Sequence, residues 1–262
     1  MNRRVGIVGS GHLGIFLADR LLELGSSSGH ELVFIWNRSR EKIPERFSKF
    51  VLPSFDKITD LDVDLIVEVA HPCITVQYGE LFSKAADFMI GSPTALADSD
   101  VLTKLRFLSS KHGNGIYIPA GALWGGNDIQ KMADTGTLKA LTVTMIKHPS
   151  CFKLEPPLNA RLSEVRENPV TLYDGPVKDL CPMAPNNVNT MAAAAIAGHT
   201  LGFEEVKGRL VADPSCSTAH IVEVEAVGLN GFTVYAKRTN PASVNAVTGQ
   251  LTYHSFWSSL QS

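Results

Sequence analysis

Three groups of residues in this chain have types and spacings that can do chemistry. The first is a set of glycines. Gly9, Gly11 and Gly14 stand in G-x-G-x-x-G order within "VGIVGSGHLGIFLADRLLELG", with Ser10, His12 and Leu13 between them. In the context of strand, turn and helix, this spacing cradles a pyrophosphate. The first glycine allows a tight turn, the second lets the phosphates approach the backbone, and the third lets the helix pack on the strand. Free N–H groups at the helix start then face the anion. A glycine-rich turn without a ligand is the plainer alternative. The second group is Asn37-Arg38-Ser39, where the next strand, "HELVFIWNRS", ends. A site selective for NAD carries a carboxylate there, bonded to the ribose 2′-hydroxyl. Here there is none, and Arg38 with Ser39 can bind a 2′-phosphate. NADP is therefore favoured over NAD, the alternative being that Arg38 points into solvent. The third is His220, which heads the alternating stretch "HIVEVEAV" and shares a face with Val222, Val224 and Ala226. Histidine titrates near neutral pH and suits proton transfer. A core histidine is the competing reading.

The elements that must position these residues differ between the halves of the chain. In the first half, Val5 to Val8 form a short apolar strand, and Leu13, Phe16, Leu17, Leu21 and Leu24 follow at helical intervals up to Gly25. Further buried-strand patterns occupy residues 64–72, 88–93 and 115–123, separated by helical patterns such as "ITVQYGELFSKAA". Strands alternating with helices predict a Rossmann-type, doubly wound parallel sheet. Ligands bind such sheets at the carboxyl ends of the strands. That brings Ala70, His71 and Pro72 towards the cofactor, together with Ala120, Gly121 and Ala122. His71 reads equally well as an ordinary loop residue.

Past Gly126 the patterns change. "KALTVTMIKHP", "HIVEVEAV" and "FTVYAKR" alternate like antiparallel strands with one covered face, the last two joined as a hairpin around residues 228–231. Between them, "PNNVNTMAAAAIAGHTLGF" predicts an alanine-rich helix that Asn187 or Asn189 can cap. The alternative is that one of these amides reaches the nicotinamide carboxamide or the substrate. In the tail, Asn240-Pro241 resembles a turn, and Val244, Val247, Leu251, Phe256 and Leu260 are spaced as on a helix. The expected organisation is a dinucleotide-binding domain over residues 1–123, completed by a C-terminal helix over 241–262. A second α+β domain over 124–240, with a mainly antiparallel sheet, would hold the substrate and the catalytic group and provide the dimer contact.

Composition narrows the function classes. The chain has 262 residues, 44% hydrophobic, with a formal net charge of -2. A size in this range accommodates one large domain or two. Nothing in the charge balance favours nucleic acid or an anionic membrane surface. No apolar run approaches the ~18 residues of a membrane span. The glycine-broken N-terminus reads as a first strand rather than a signal peptide. Cys73, Cys151, Cys181 and Cys216 form no C-x-x-C pair, so no metal site is expected and the cysteines read as reduced thiols of a cytoplasmic protein.

Taken together, the motifs resemble the L-aspartate dehydrogenase family. "GIVGSGHLG", "GSPTALAD", "IPAGALWGGND", "PNNVNTMAAAAIAG", "VADPS" with the following "AH", and "NPAS" occur in that family's order along nearly the whole chain. The resemblance implies oxidation of L-aspartate with NAD or NADP to iminoaspartate, which hydrolyses to oxaloacetate and ammonia or feeds NAD synthesis. It puts the family's active-site histidine on His220, a cofactor-contacting alanine on Ala122, and a cofactor-contacting asparagine on Asn189, with Asn187 one alignment step away. Ala120 stands where the family often has serine. Thr218-Ala219 replaces its common polar pair before the histidine. An aspartate substrate brings two carboxylates, for which Lys147 and His148, ending the "TVTMIKHP" strand, are the candidate cations, with surface exposure the alternative for Lys147. A homodimer is expected from a sheet with one face uncovered by its own helices. A two-domain reductase of another imine, semialdehyde or sugar, and a non-catalytic NADP sensor, are the other readings.

Overall fold

The computed structural model describes residues 2–242 and 245–261, so Ser243 of "NPAS" and Val244 of the tail pattern lie outside the described residues. The chain divides into two compact units, Met1–Pro119 with Trp257–Ser262, and Ala120–Phe256.

In the first unit, β1 (Arg3–Val8) runs through the glycine turn into α1 (His12–Leu24), followed by β2 (His30–Trp36). After short turns come β3 (Leu65–Glu68), α2 (Pro72–Ala85), β4 (Asp87–Ile90), α3 (Ser99–His112) and β5 (Ile116–Tyr117). The strands form one parallel sheet in the order β2-β1-β3-β4-β5. This is the Rossmann-type sheet expected. Strands covered on both faces need unbroken apolar runs, and Val5, Ile7, Val8, Leu65, Ile66, Val67, Phe88 and Ile90 are fully buried. On α1 the buried stripe is Gly14, Leu17, Ala18 and Leu21, whereas Leu24 is exposed. The strand expected over 115–123 is cut to two residues. Pro119 has no N–H to give a ladder, and the chain turns at Gly121, where the Leu123 N–H donates to the Ala120 carbonyl at 2.9 Å.

The second unit begins with α4 (Gly126–Asp134), β6 (Ala140–Lys147), α5 (Leu158–Ser163), β7 (Val170–Pro176), α6 (Val177–Leu180), α7 (Asn189–Ala197) and α8 (Gly202–Glu205). Then follow β8 (Lys207–Ala212), β9 (Ala219–Val227) and β10 (Thr233–Pro241), and the chain ends in α9 (Gln250–Gln261). The sheet order is β10-β9-β6-β8-β7. All its pairs are antiparallel except β6 with β8. The expected hairpin is β9 with β10, closed by the Gly228 N–H donating to the Phe232 carbonyl at 2.7 Å. Strands β7 and β8 are additions to the sequence reading. Gly208 sits among the buried positions of β8, and a Cβ there would come within 2.8 Å of Met191 Sδ on α7. The missing side chain thins the apolar alternation that would have announced the strand.

One face of this sheet carries Leu141, Val143, Met145, Val222, Val224 and Ala226, all buried. Helix α7 packs on it, with Thr190 to Ala195 buried. The opposite face presents Thr142, Glu223, Glu225, Arg209 and Tyr235. Two expectations at the C-terminal end are corrected. Asn240-Pro241 is not a turn but the end of β10, and the terminal helix starts at Gln250 rather than 241. Proline is tolerated there because β10 is an edge strand.

Candidate active site

Within the first unit, the glycine turn has the shape a pyrophosphate requires. Gly9 has φ +121°, and a Cβ on it would lie 2.8 Å from the Val69 carbonyl oxygen and 2.9 Å from the Ala70 nitrogen. A Cβ on Gly14 would lie 1.9 Å from the Gly9 oxygen, so turn and helix close up as the motif demands. Gly11 instead faces open space, with nothing within 4 Å. No side chain caps α1 and no acidic residue occupies its first turn. Its N–H groups and positive dipole end are thus left for an anion. Ser10 Oγ is buried with no partner among the described residues. These features fit a dinucleotide. His12 is exposed and Leu13 half-buried beside them.

At the end of β2, the Asn37 carboxamide accepts from the Ser10 N–H at 3.3 Å and donates to the Ser39 carbonyl at 2.8 Å. Asn37 therefore ties the two neighbouring loops together, and Arg38 is exposed. At the end of β3, Ala70 is exposed, while His71 caps α2 by accepting from the Cys73 N–H at 3.2 Å. The histidine before the proline is thus a helix cap.

The residue the sequence reading passed over here is Glu68. It is 0% exposed. Its Oε1 accepts from the N–H groups of Ala70 (2.7 Å) and His71 (2.9 Å) and from the Ser92 hydroxyl (3.1 Å). Its Oε2 accepts from the Ser92 N–H (3.0 Å) and the Thr75 hydroxyl (3.4 Å). Burial pushes the carboxyl up to about 7, against the pull of these donors towards the ionised form.

In the second unit, the register Val143↔Val224 and Met145↔Val222 continues to set Lys147 beside His220, and His220 pairs with Asn240 on β10. The three form a buried polar row across β6, β9 and β10, at 3%, 5% and 2% exposure. His220 Nε2 is buried with no hydrogen-bond partner among the described residues. Burial first, and the Lys147 charge second, push the ring down to about 4, with a hydrogen bond to the Ala246 backbone acting the other way. The imidazole is therefore neutral at physiological pH and able to take a proton. Lys147 Nζ donates to the Val247 carbonyl at 3.1 Å and lies 5.8 Å from the Phe152 ring centre. Burial lowers its ammonium to about 8, opposed by Cys151. Asn240 braces α9, its Oδ1 accepting from the Leu251 N–H at 3.2 Å and its Nδ2 donating to Thr252 Oγ1 at 3.1 Å.

Other expected residues fall near this row or away from it. His148 follows the end of β6, and its ring accepts from the Ser150 N–H at 3.2 Å, so it shapes the next turn. Neither Asn187 nor Asn189 caps α7: the cap position is Val188, and no side-chain bond is made there. Asn187 Nδ2 donates to the Lys153 carbonyl at 2.6 Å. The Oδ1 atoms of both asparagines are buried and unpartnered among the described residues. Ala122 is half-buried in the turn after Gly121. Arg238, missed by the sequence reading, donates from Nη1 to the Gly121 carbonyl at 3.1 Å and so braces that turn. The signal for Arg238 and Asn240 was parity, since both alternate in step with Ala236 along β10. Among the described residues, no group of three His, Cys, Asp or Glu side chains could hold a metal ion. No helix among them is long and apolar enough to cross a membrane.

Two family models match. Residues 128–262 match "Aspartate dehydrogenase, C-terminal". Residues 5–119 match "Homoserine dehydrogenase, NAD binding domain". An aspartate dehydrogenase domain-containing protein of Xenopus tropicalis is 51% identical, over 98% of this chain and 93% of its own length. An L-aspartate dehydrogenase of Methanococcoides burtonii is 29% identical over 95% and 92%. Among solved structures, an aspartate dehydrogenase from Thermotoga maritima superimposes with a TM-score of 0.73 at 22% identity, over 99% of this chain and 94% of that one, a likeness of fold.

Proposed function

The chain belongs to the aspartate dehydrogenase family and is an oxidoreductase, and from that premise we propose that it oxidises L-aspartate to iminoaspartate with NADP or NAD as hydride acceptor. The observation that carries this reading is the buried Nε2 of His220, unpartnered among the described residues, in a buried row with Lys147. We take the first unit as the dinucleotide-binding domain and the second as the substrate and catalytic domain.

His220 takes a proton from the substrate ammonium as the Cα hydrogen leaves as hydride and the C=N bond forms. Once that proton has passed to solvent, the same nitrogen accepts a proton from the water that adds to the imine and returns it to the departing ammonia, giving oxaloacetate. A general base of this kind is worth about 10²–10⁴ in rate. When bound, the nicotinamide supplies the hydride acceptor. Gly9 to Gly14 with Ser10 would hold the pyrophosphate, and Ala70, His71, Ala122, Asn187 and Asn189 are assigned to the nicotinamide half. The orphaned Oδ1 atoms of the two asparagines suit a carboxamide N–H₂. Lys147 is assigned to a substrate carboxylate. His148, whose ring nitrogen is already bonded within its own turn, has the lesser share. NADP is favoured because Asn37-Arg38-Ser39 at the end of β2 holds no carboxylate and Arg38 is exposed there. We further assign a homodimer, formed through the sheet face of the second unit opposite α7, and a cytoplasmic location consistent with four free cysteines.

Reductive amination of oxaloacetate with ammonia, run with NADPH and NADH in parallel, tests this reading. Consumption of NADPH, faster than of NADH, is expected. Consumption only with other keto acids or semialdehydes would make the protein a reductase of a different substrate. Saturable NADPH binding without turnover across such a panel would make it a sensor.

A further inference from the structure

Glu68 is a buried carboxylate that the proton chemistry at His220 does not use. Its surroundings are specific. Three backbone N–H groups and two hydroxyls converge on it from the end of β3, the first turn of α2 and the end of β4. N–H groups can only donate, so the arrangement fits the ionised form. Its nearest tie, the Ala70 N–H, belongs to the backbone that leaves no room for a Cβ on Gly9. Glu68 therefore fixes the segment against which the phosphate turn packs.

The sheet order says which part of a dinucleotide this charge lies under. The cofactor crosses the carboxyl ends of the strands with its pyrophosphate at the turn after the first strand and its adenosine ribose at the end of the second. Here β2 lies on one side of β1, and β3 and β4 lie on the other. The nicotinamide half therefore falls to the ends of β3 and β4, the two ends that Glu68 joins. Oxidised and reduced cofactors carry the same phosphates and adenosine. They differ in one charge, the cationic pyridinium of the oxidised ring.

We propose that Glu68 is a positioning residue whose buried negative charge favours the oxidised over the reduced cofactor and so biases the site towards oxidation of its substrate. The proposal rests on the dinucleotide reading of the first unit. Its effect is confined to a ratio, Kd for NADPH over Kd for NADP, from which every contact common to the two forms cancels.

The test is fluorescence and calorimetric titration of the full-length protein with each cofactor at pH 8, without substrate. Glu68→Gln keeps the shape and removes the charge. Glu68→Asp keeps the charge and disturbs the hydrogen bonds. Glu68→Gln is expected to lower the ratio roughly five- to twentyfold, the size of a unit charge acting over about 10 Å in a partly polar interior. Glu68→Asp is expected to weaken both forms together and leave the ratio within about twofold, since the charge is retained. An unchanged ratio in Glu68→Gln, with both cofactors still bound, overturns the proposal. Failure of the wild-type protein to bind either cofactor would overturn the dinucleotide reading instead. If Glu68→Gln does not fold, Ser92→Ala combined with Thr75→Val strips both hydroxyl donors and leaves the three N–H groups. That variant is expected to shift the ratio the same way by about twofold, because donors to a carboxylate hold it ionised, and no shift there overturns the proposal equally.

Discussion

Each unit buries an ionisable group, and the two treat it in opposite ways. Glu68, at the end of β3, has both oxygens occupied by five donors. Among the described residues, His220, at the start of β9, leaves Nε2 buried and bonded to nothing, and Lys147 beside it makes one hydrogen bond with its three donors. A buried polar atom without a partner costs about 1–3 kcal/mol. A fold bears that cost where a ligand completes the set. The saturated carboxylate organises backbone; the unsaturated imidazole and amine are poised for something that arrives.

The sharpest way to break this contrast is at His220. His220→Ala is expected to lower kcat by about 10²–10⁴ while leaving the dinucleotide titration unchanged, because every residue of the glycine turn lies in the other unit. Steady-state kinetics and cofactor binding on the same preparation check it. Near-normal turnover would make His220 a core residue after all. The wild-type pH profile carries a second signature. With the ring pushed down to about 4, the acid limb of kcat/KM should lie well below the ordinary histidine range. The sign for stability follows from proton binding. Between about 4 and 6.5 the unfolded chain holds a proton on this ring and the folded chain does not. Stability therefore falls as pH drops through that window, and His220→Ala should flatten this part of the acid unfolding curve.

Lys147 sharpens the contrast at intermediate size. Lys147→Met should raise KM for aspartate roughly 10- to 100-fold, the worth of one hydrogen bond to a charged group. It should also move the acid limb of kcat/KM upward, since the Lys147 charge is one of the two influences holding His220 down. A purely structural lysine would leave KM unchanged in the variant that folds. In the wild type, KM should climb above pH 8 as the ammonium itself loses its proton.

How much of this was legible in the sequence follows the distances along the chain over which each feature is built. The glycine turn is local, so Gly9, Gly11 and Gly14 announced their roles by spacing alone. His220 was legible as a polar residue on the buried parity of β9. Lys147 follows the same parity on β6, with Leu141, Val143 and Met145, but that it meets His220 depends on the pairing of two strands far apart in sequence. Glu68 was hidden for the same reason. Its donors come from residues 70–71, 75 and 92, and only the parallel pairing of β3 with β4 brings Ser92 to it. Asn240 was obscured by Pro241, with which it read as a turn, whereas Arg238 already ended the strand pattern "FTVYAKR" and only the fold brings it to Gly121. An edge strand accommodates the proline, because the missing N–H faces no neighbour.

The finest test concerns the exposed end of the first unit, where the contrast with the buried row should be smallest in energy. Asn37 spends its carboxamide on Ser10 and Ser39, so it shapes the loop and has little left for a ribose. Arg38 is exposed, and an exposed ion pair is worth about 0.2–1 kcal/mol. Arg38→Ala should therefore raise KM for NADPH by about two- to fivefold and leave KM for NADH unchanged, since only NADPH carries the 2′-phosphate. Raising the salt concentration should erode the proposed preference for NADPH in the same direction, because exposed charges are screened over roughly 8–10 Å. Equal effects on both cofactors would show that Arg38 supports the fold of the loop, and the preference would then lie with Ser39 or with the missing carboxylate alone.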